Sequence, residues 1–203
     1  MKLFWAANTI SPACAVALNE GGIHWESVEI DFKAAEQTSP AYLAINPKGR
    51  VPSLSTPEGI LTETGAILEY IGATFAPELV PADPLHAARM RELMYYITTT
   101  MHANHAHRLR GYRWAREEAS FQDMQSMVTG NMASGCEFLE ERITGPFFFG
   151  DQLTLAECWV YPVLCFLPGD GVEIGDYPKL SALKAAMDAR PSVKAVLEIG
   201  MVK

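Results

Sequence analysis

The 203-residue sequence has no Cys-x-x-Cys pair and no zinc-site spacing, its four cysteines standing alone at 14, 136, 158 and 165. That argues against a disulfide framework and a structural metal, and the thiols read as the reduced cysteines of a cytoplasmic protein. Positive charge is scarce: 16 basic against 24 acidic residues leave a net charge of −8. An acidic chain is a poor general binder of nucleic acid or of anionic membranes. Long apolar runs are missing too. The stretch Cys158 to Pro168 is too short to span a bilayer, and the run in Met1–Ala7 is too short for a secretion signal. No internal repeat and no low-complexity tract occurs. What is present, 49% hydrophobic and 20% charged residues, can bury a sizeable core in one large domain or two small ones.

The chemistry concentrates between Asn46 and Thr64. Asn46-Pro47 and Lys48-Gly49 are turn pairs, and Val51, Leu54, Ile60 and Leu61 supply two short strands joined at Pro57-Glu58-Gly59. Pro52 has no N–H to give a strand ladder. A cis Val51-Pro52 bond would explain it by turning the Val51 peptide groups outward, toward another peptide. Ile67, Leu68 and Ile71 then recur at helical spacing, which predicts a helix capped by Thr64. A helix start with free N–H groups and a hydroxyl binds a carboxylate, and Glu63 beside it can bind an ammonium. Together these residues describe a receptor for a small peptide with a free α-amino acid end.

Around this stretch, Lys2 to Trp5 reads as a buried strand and Pro12 to Glu20 as a helix stopped by Gly21-Gly22. Asn8, Thr9 and Ser11 are its candidate caps, and Val16 with Ala13 and Ala17 its inner face. Trp25 to Ile30 alternates like a strand parallel to the first, and Pro40 to Ile45 forms a short helix. The order βαβαββα, with a proline at the third strand, is that of a thioredoxin-like unit over residues 1–77. Prolines 77, 81 and 84 mark a linker at 78–86. Residues 87–203 read as all-helical. Met90, Leu93, Met94, Ile97 and Met101 predict one long helix from Leu85 to about Gly111, and a second runs from about Ser120 to Arg142. Thr154 and Glu157 form a capping box, and Tyr177-Pro178 and Arg190-Pro191 open the last two helices.

Asn-Pro-Lys-Gly-Arg-Val-Pro-Ser-Leu followed by Leu-Thr-Glu-Thr-Gly-Ala-Ile-Leu-Glu-Tyr-Ile resembles the glutathione-binding half of the cytosolic glutathione transferases. Phe149 to Glu157 is similar to their buried capping box, though the last member there is usually Asp. Tyr-Pro-Lys-Leu with Ala-Arg-Pro-Ser-Val is similar to their closing helices. The resemblance implies an α/β thioredoxin-like N-terminal domain plus an all-α C-terminal domain, with glutathione as co-substrate and a homodimer. It assigns the Val51 peptide before Pro52 to the cysteinyl part of glutathione, and Glu63 and Thr64 to its γ-glutamyl end. The glycyl carboxylate needs a cation, for which Lys33 and Arg50 are the candidates.

The opening residues are similar to the bacterial beta-type enzymes, whose catalytic cysteine falls here on Ile10. Beta-type cysteine chemistry is thereby removed. The adjacent beta-type serine falls on Ser11, which becomes the leading donor to the glutathione sulfur, with Thr9 and Asn8 in reserve; Ser11 also suits a plain helix cap. Cys14 reads as a small buried residue. In the resembling enzymes the long helix walls the cleft above the sulfur, and their glutathione-touching histidine falls on His102, with Ala103 in place of the lysine that follows it. Tyr95, His105, Arg108, Tyr112 and Trp114 are candidates for the acceptor cleft or the dimer groove. His102 and His105 share a helix face, His107 diverges, and no carboxylate accompanies them at helical spacing, so a metal site is not indicated.

The reading is a glutathione transferase that holds glutathione as thiolate for attack on a small electrophile in an apolar cleft. A glutathione-dependent isomerase, reductase or peroxidase would share the binding half. A non-catalytic glutathione-binding scaffold would keep Val51, Pro52, Glu63 and Thr64 without needing Ser11.

Overall fold

In the computed structural model, which describes residues 1–202, Leu3, Phe4 and Trp5 are buried in the central strand β1 (Lys2–Trp5). The helix α1 (Pro12–Glu20) crosses over to β2 (Glu26–Glu29), parallel to β1. On the other side of β1 lies the antiparallel β3 (Ser53–Thr56), and β4 (Gly59–Thr62) pairs with β3 to give the order β2-β1-β3-β4. Leu54 of β3 stands opposite both Leu3 and Leu61, so one apolar row crosses the sheet. The short α2 (Pro40–Leu43) precedes β3, and α3 (Thr64–Thr74) follows β4. This is the thioredoxin-like βαβαββα unit. β2 is one residue shorter at each end than the alternation predicted, and Trp25 before it donates its indole Nε1 to Asn19 Oδ1 at 2.8 Å.

Two helix starts differ from the sequence reading. Thr64 is the first residue of α3 and Glu63 takes the cap position, at φ 71° and with no side-chain cap bond. Ser11 precedes α1, but its hydroxyl bonds to Thr9 rather than capping the helix. α1 also has no outer face: every residue from Pro12 to Leu18 is buried. α3 packs against it, Leu3, Trp5 and Leu54 of the sheet share its core, and α7 (Leu155–Asp170) of the helical half packs along it, with the last helix of the chain also against it.

The helical half begins with α4 (Pro84–Tyr96) and continues with α5 (His102–Arg110). The single long helix predicted here is interrupted by a π-turn at Ile97–Met101. Thr98 and Thr99 return their hydroxyls to the carbonyls of Met94 and Tyr95, both at 2.9 Å, and such back-bonding loosens a helix. The wide turn changes the phase of everything after it. α6 (Glu118–Glu140), α7, α8 (Pro178–Asp188) and α9 (Pro191–Glu198) complete the layer.

The halves are joined by charge and by contact. Glu20 at the end of α1 takes two bonds from Arg190, both at 2.6 Å, and a third from Ser192. Burial raises the Glu20 carboxyl, but the hydrogen bonds from Arg190 and Ser192 outweigh it and hold the group below the usual range. Gly65 abuts Trp159 of α7: a Cβ there would lie 3.0 Å from the indole. Among the described residues no helix is long and apolar enough to cross a membrane.

The capping box at α7 is fully buried. Glu157 accepts from Thr154 N (2.7 Å), Thr154 Oγ1 (2.6 Å) and Phe148 N (2.8 Å), which ties the loop before α7 to its first turn. Replacing Glu157 by Ala strands these buried donors and should cost about 2–5 kcal/mol. The check is a fall in the urea midpoint at unchanged m-value, with Glu157→Gln falling less; an unmoved midpoint would mean water replaces the carboxylate.

Candidate active site

The loop before β3 is held from below by a buried polar clamp. Tyr42 OH and Asn46 Nδ2 both donate to the Arg50 carbonyl at 2.7 Å. Asn46 Nδ2 also reaches Ser53 Oγ at 3.1 Å, and Asn46 Oδ1 accepts from Lys48 N at 3.1 Å. Asn46 and Ser53 are both buried. Above this clamp the Val51-Pro52 peptide is cis, as the sequence indicated. Among the described residues neither the N–H nor the C=O of Val51 has a hydrogen-bond partner.

Beside it, the first turn of α3 leaves donors free. The earliest helical bond there is Ile67 N to Glu63 O at 3.0 Å, so the N–H groups of Thr64, Gly65 and Ala66 are available to an anion. Glu63 sits in a backbone region that non-glycine residues rarely adopt, which marks a position held for a purpose. Its carboxylate meets Lys48 Nζ at 2.5 Å.

The loop from β1 to α1 supplies a third group of donors. Thr9 Oγ1 donates to the Ala6 carbonyl at 2.7 Å and lies 2.8 Å from Ser11 Oγ. A hydroxyl has one proton, so with Thr9 committed to Ala6 it is Ser11 that donates in this pair. The Ile10 N–H has no acceptor among the described residues.

These three groups line one face of a cavity of about 970 Å³ between the two halves. Thr9, Arg50, Val51, Pro52, Glu63 and Thr64 are on its wall, and His102, His105, Tyr112 and Trp114 face them from α5 and the turn after it. Two predicted residues are elsewhere. Ser11 is fully buried, bonded to Thr9 and off the wall. Lys33 is exposed in the loop after β2, away from the wall, which leaves Arg50 as the candidate cation. A smaller cavity of about 530 Å³ shares Thr9, His105 and Phe166 with the first.

The α5 wall is rigid and polar. His105 Nδ1 meets both oxygens of the buried Asp170 at 2.8 and 2.9 Å, and its ring stacks on Phe166 with centroids 4.1 Å apart. His102 is lowered to about 4 from the ordinary 6.5, first by burial and then by repulsion from His105, Arg110, Arg113 and Arg50. It is a neutral imidazole at physiological pH. Burial pushes the Cys14 thiol far up, so it is no nucleophile. Among the described residues no group of three or more His, Cys, Asp or Glu could hold a metal ion.

Sequence reasoning missed the Tyr42–Asn46–Ser53 clamp, the Lys48–Glu63 pair, and Arg110 and Arg113 on the cavity wall. Asn46 had shown itself only as turn chemistry, and pairs between side chains distant along the chain leave no local pattern.

A family model of the glutathione S-transferase N-terminal domain matches residues 1–73, and one of the glutathione S-transferase C-terminal domain matches residues 106–199. The chain therefore belongs to the glutathione S-transferase family, the class that its fold and site define. It is 46% identical to a glutathione transferase homolog from Sulfitobacter whose crystal structure has bound glutathione, with a TM-score of 0.96 over 98% of each chain. It is also 28% identical to the maleylacetoacetate isomerase of Pseudomonas aeruginosa, over 96% of this chain and 94% of that one. Glutathione S-transferase 1 of Zea mays is 30% identical, over 97% and 95%.

His102 carries a pH dependence. Unfolded, it takes up a proton near 6.5; folded, only near 4. The unfolded chain therefore binds the proton first, so the stability linked to neutral His102 is complete above about pH 6.5 and is lost as pH falls toward 4. His102→Gln should flatten that window by up to about one proton in a plot of unfolding free energy against pH. An unchanged slope would show that His102 is charged in the folded state.

Proposed function

We propose that this enzyme stabilises glutathione as thiolate at Thr9 and the Ile10 N–H and directs it at an electrophile seated against the α5 wall. The observation that carries the reading is that one cavity holds both halves of such a reaction. Glutathione supplies the sulfur nucleophile. The Val51 peptide groups are free to pair with its cysteinyl backbone, as a short β-addition. The free N–H groups and hydroxyl at Thr64 suit its γ-glutamyl carboxylate, and Glu63 its ammonium. Arg50 suits the glycyl carboxylate.

Thr9 is the side chain placed to touch the sulfur, by releasing Ala6 and turning its proton into the cavity. Ser11, which donates to Thr9, is then a positioning residue. A donor aimed at developing or resident negative charge in a site of low dielectric favours the anion. Loss of the thiol proton to solvent, formation of the carbon–sulfur bond and departure of the leaving group complete the turnover. A glutathione-dependent isomerase is the second reading, favoured by the likeness to maleylacetoacetate isomerase over nearly the whole chain. It would return glutathione unchanged, where a transferase consumes it.

We further propose a thioredoxin-like glutathione-binding domain at 1–77, a linker at 78–86 and a helical domain at 87–203. The run between α3 and α4, which holds only a short 3-10 turn at Pro77–Leu79 and carries prolines 77, 81 and 84, supports that division. A cytoplasmic homodimer is the natural setting: the four thiols are unpaired, and Leu85 and Tyr95 put apolar surface on α4.

The test is the ultraviolet absorbance of the thiolate of bound glutathione against pH. A bound pKa well below that of free glutathione is expected, and no thiolate at neutral pH would leave a carrier or scaffold. Thr9→Val should lower turnover about 10–1000-fold while retention on immobilised glutathione persists. Ser11→Ala should cost less; an equal loss would place Ser11 itself at the sulfur. Glu63→Ala should abolish retention, and full retention would remove Glu63 from the site.

A further inference from the structure

We propose that the acceptor half of the cavity, at Arg110 and Arg113, binds an organic anion: an electrophile that carries a carboxylate close to its reactive carbon. This rests on the glutathione reading above and names the class of second substrate.

The charges on the cavity wall do not cancel. Two carboxylates line it, and each already has a cation: Glu63 has Lys48 at 2.5 Å, and Glu69 takes two bonds from Arg91 at 2.7 and 3.1 Å. Arg50, Arg110 and Arg113 remain on the same wall. Among the described residues, no carboxylate lies within 4.0 Å of any of these three guanidinium groups. A chain of net charge −8 thus gathers an uncompensated positive field in its cleft.

The cost of that arrangement falls on Arg110, since Arg50 and Arg113 are exposed to solvent. Arg110 is half-buried, and its pKa is lowered first by burial, then by Arg113 and Arg50. The same three cations help to keep His102 neutral. An anion relieves the repulsion, and the planar guanidinium fork matches a carboxylate through two parallel hydrogen bonds.

Glutathione does not use up the surplus. Its γ-glutamyl carboxylate goes to the start of α3, and its glycyl carboxylate takes Arg50, next to Val51. Arg110 and Arg113 sit at the end of α5 and in the turn Gly111–Arg113, on the wall opposite the glutathione face. Tyr112 and Trp114 flank them, 64% and 51% exposed, with Trp114 also meeting the His107 ring edge-to-face at 4.5 Å, and they offer aromatic surface to an unsaturated or aromatic body. An anionic head at the arginines and an apolar body on these rings would leave the reactive carbon toward Thr9.

The test uses the full chain saturated with S-methylglutathione, which has no free thiol, titrated calorimetrically with 3,5-dinitrobenzoate and separately with neutral 3,5-dinitrobenzamide. The benzoate should bind at least about 10-fold more tightly, and added salt should shrink the advantage. Arg110→Gln and Arg113→Gln should each remove most of it. Arg110→Lys, which keeps the charge without the fork, should retain part, and serves where a glutamine variant fails to fold. Undetectable benzoate binding, equal affinity for the two probes, or an advantage surviving in both glutamine variants would overturn the proposal and leave the glutathione reading standing. If S-methylglutathione itself does not bind, the glutathione reading fails instead, and the same two probes titrated into the free protein decide whether the arginines hold an anion.

Discussion

Helix α1 has no face left for solvent, and the rest of the molecule is arranged around that constraint. Ala13, Cys14, Ala15 and Ala17 keep it thin enough for the sheet and α3 to close on one side and α7 on the other. A helix apolar on every side cannot be stable unless both covers are present, so neither half of the chain is a finished core alone. Its C-terminal end is locked to the helical half by the Glu20–Arg190–Ser192 bonds. The loop before its N-terminus is tied at Asn8 N to the carbonyl of Met201, at 2.9 Å. The cavity lies at this seam, and the donors at Thr9 and Ile10 inherit their position from it.

The two faces of the cavity are held by different means. The face at the loop before β3 is fixed by hydrogen bonds that close within a short stretch of chain: Tyr42 and Asn46 clamp the Arg50 carbonyl, Ser53 braces Asn46, and Val51 and Pro52 follow directly. The α5 face is fixed by tertiary contact. His105 is pinned by Asp170 and Phe166 of α7, and the π-turn at Ile97–Met101 sets which side of α5 meets the cavity. A turn of five residues rotates all later side chains relative to an ideal helix, so the wall residues from His102 onward owe their aim to Thr98 and Thr99.

That difference decides what could be read from the sequence. The cis bond before Pro52 and the existence of α3 were legible because turn residues, a strand proline and a helical period are local signals, though the cap of α3 fell one residue earlier, on Glu63. The order of elements and the capping box at Thr154 and Glu157 were legible for the same reason. Ser11 was not. The resemblance made it the leading donor to the sulfur, or else a plain helix cap, whereas in the fold it is fully buried and bonded to Thr9. The long helix from Leu85 was read as unbroken because apolar spacing survives a single wide turn, while the adjacent threonine hydroxyls that open it carry no periodic mark. Lys33 and Arg50 were equivalent in sequence, each flanking a strand, and only the path of the loops separates them.

Whether a cation is neutralised depends on which acid lies within reach in three dimensions; Glu63 was visible in the sequence, but its partner Lys48 and the Glu69–Arg91 pair were not. Once those pairs are set, the surplus on the wall follows from subtraction. It falls on α5 and the exposed turn after it, not on the clamped loop. A face held by long-range packing and ending in exposed side chains such as Tyr112 can change its residues without disturbing the clamp below Val51. The two faces are thus built independently: the clamped loop holds the free Val51 peptide in place, while the opposite face carries the surplus of positive charge.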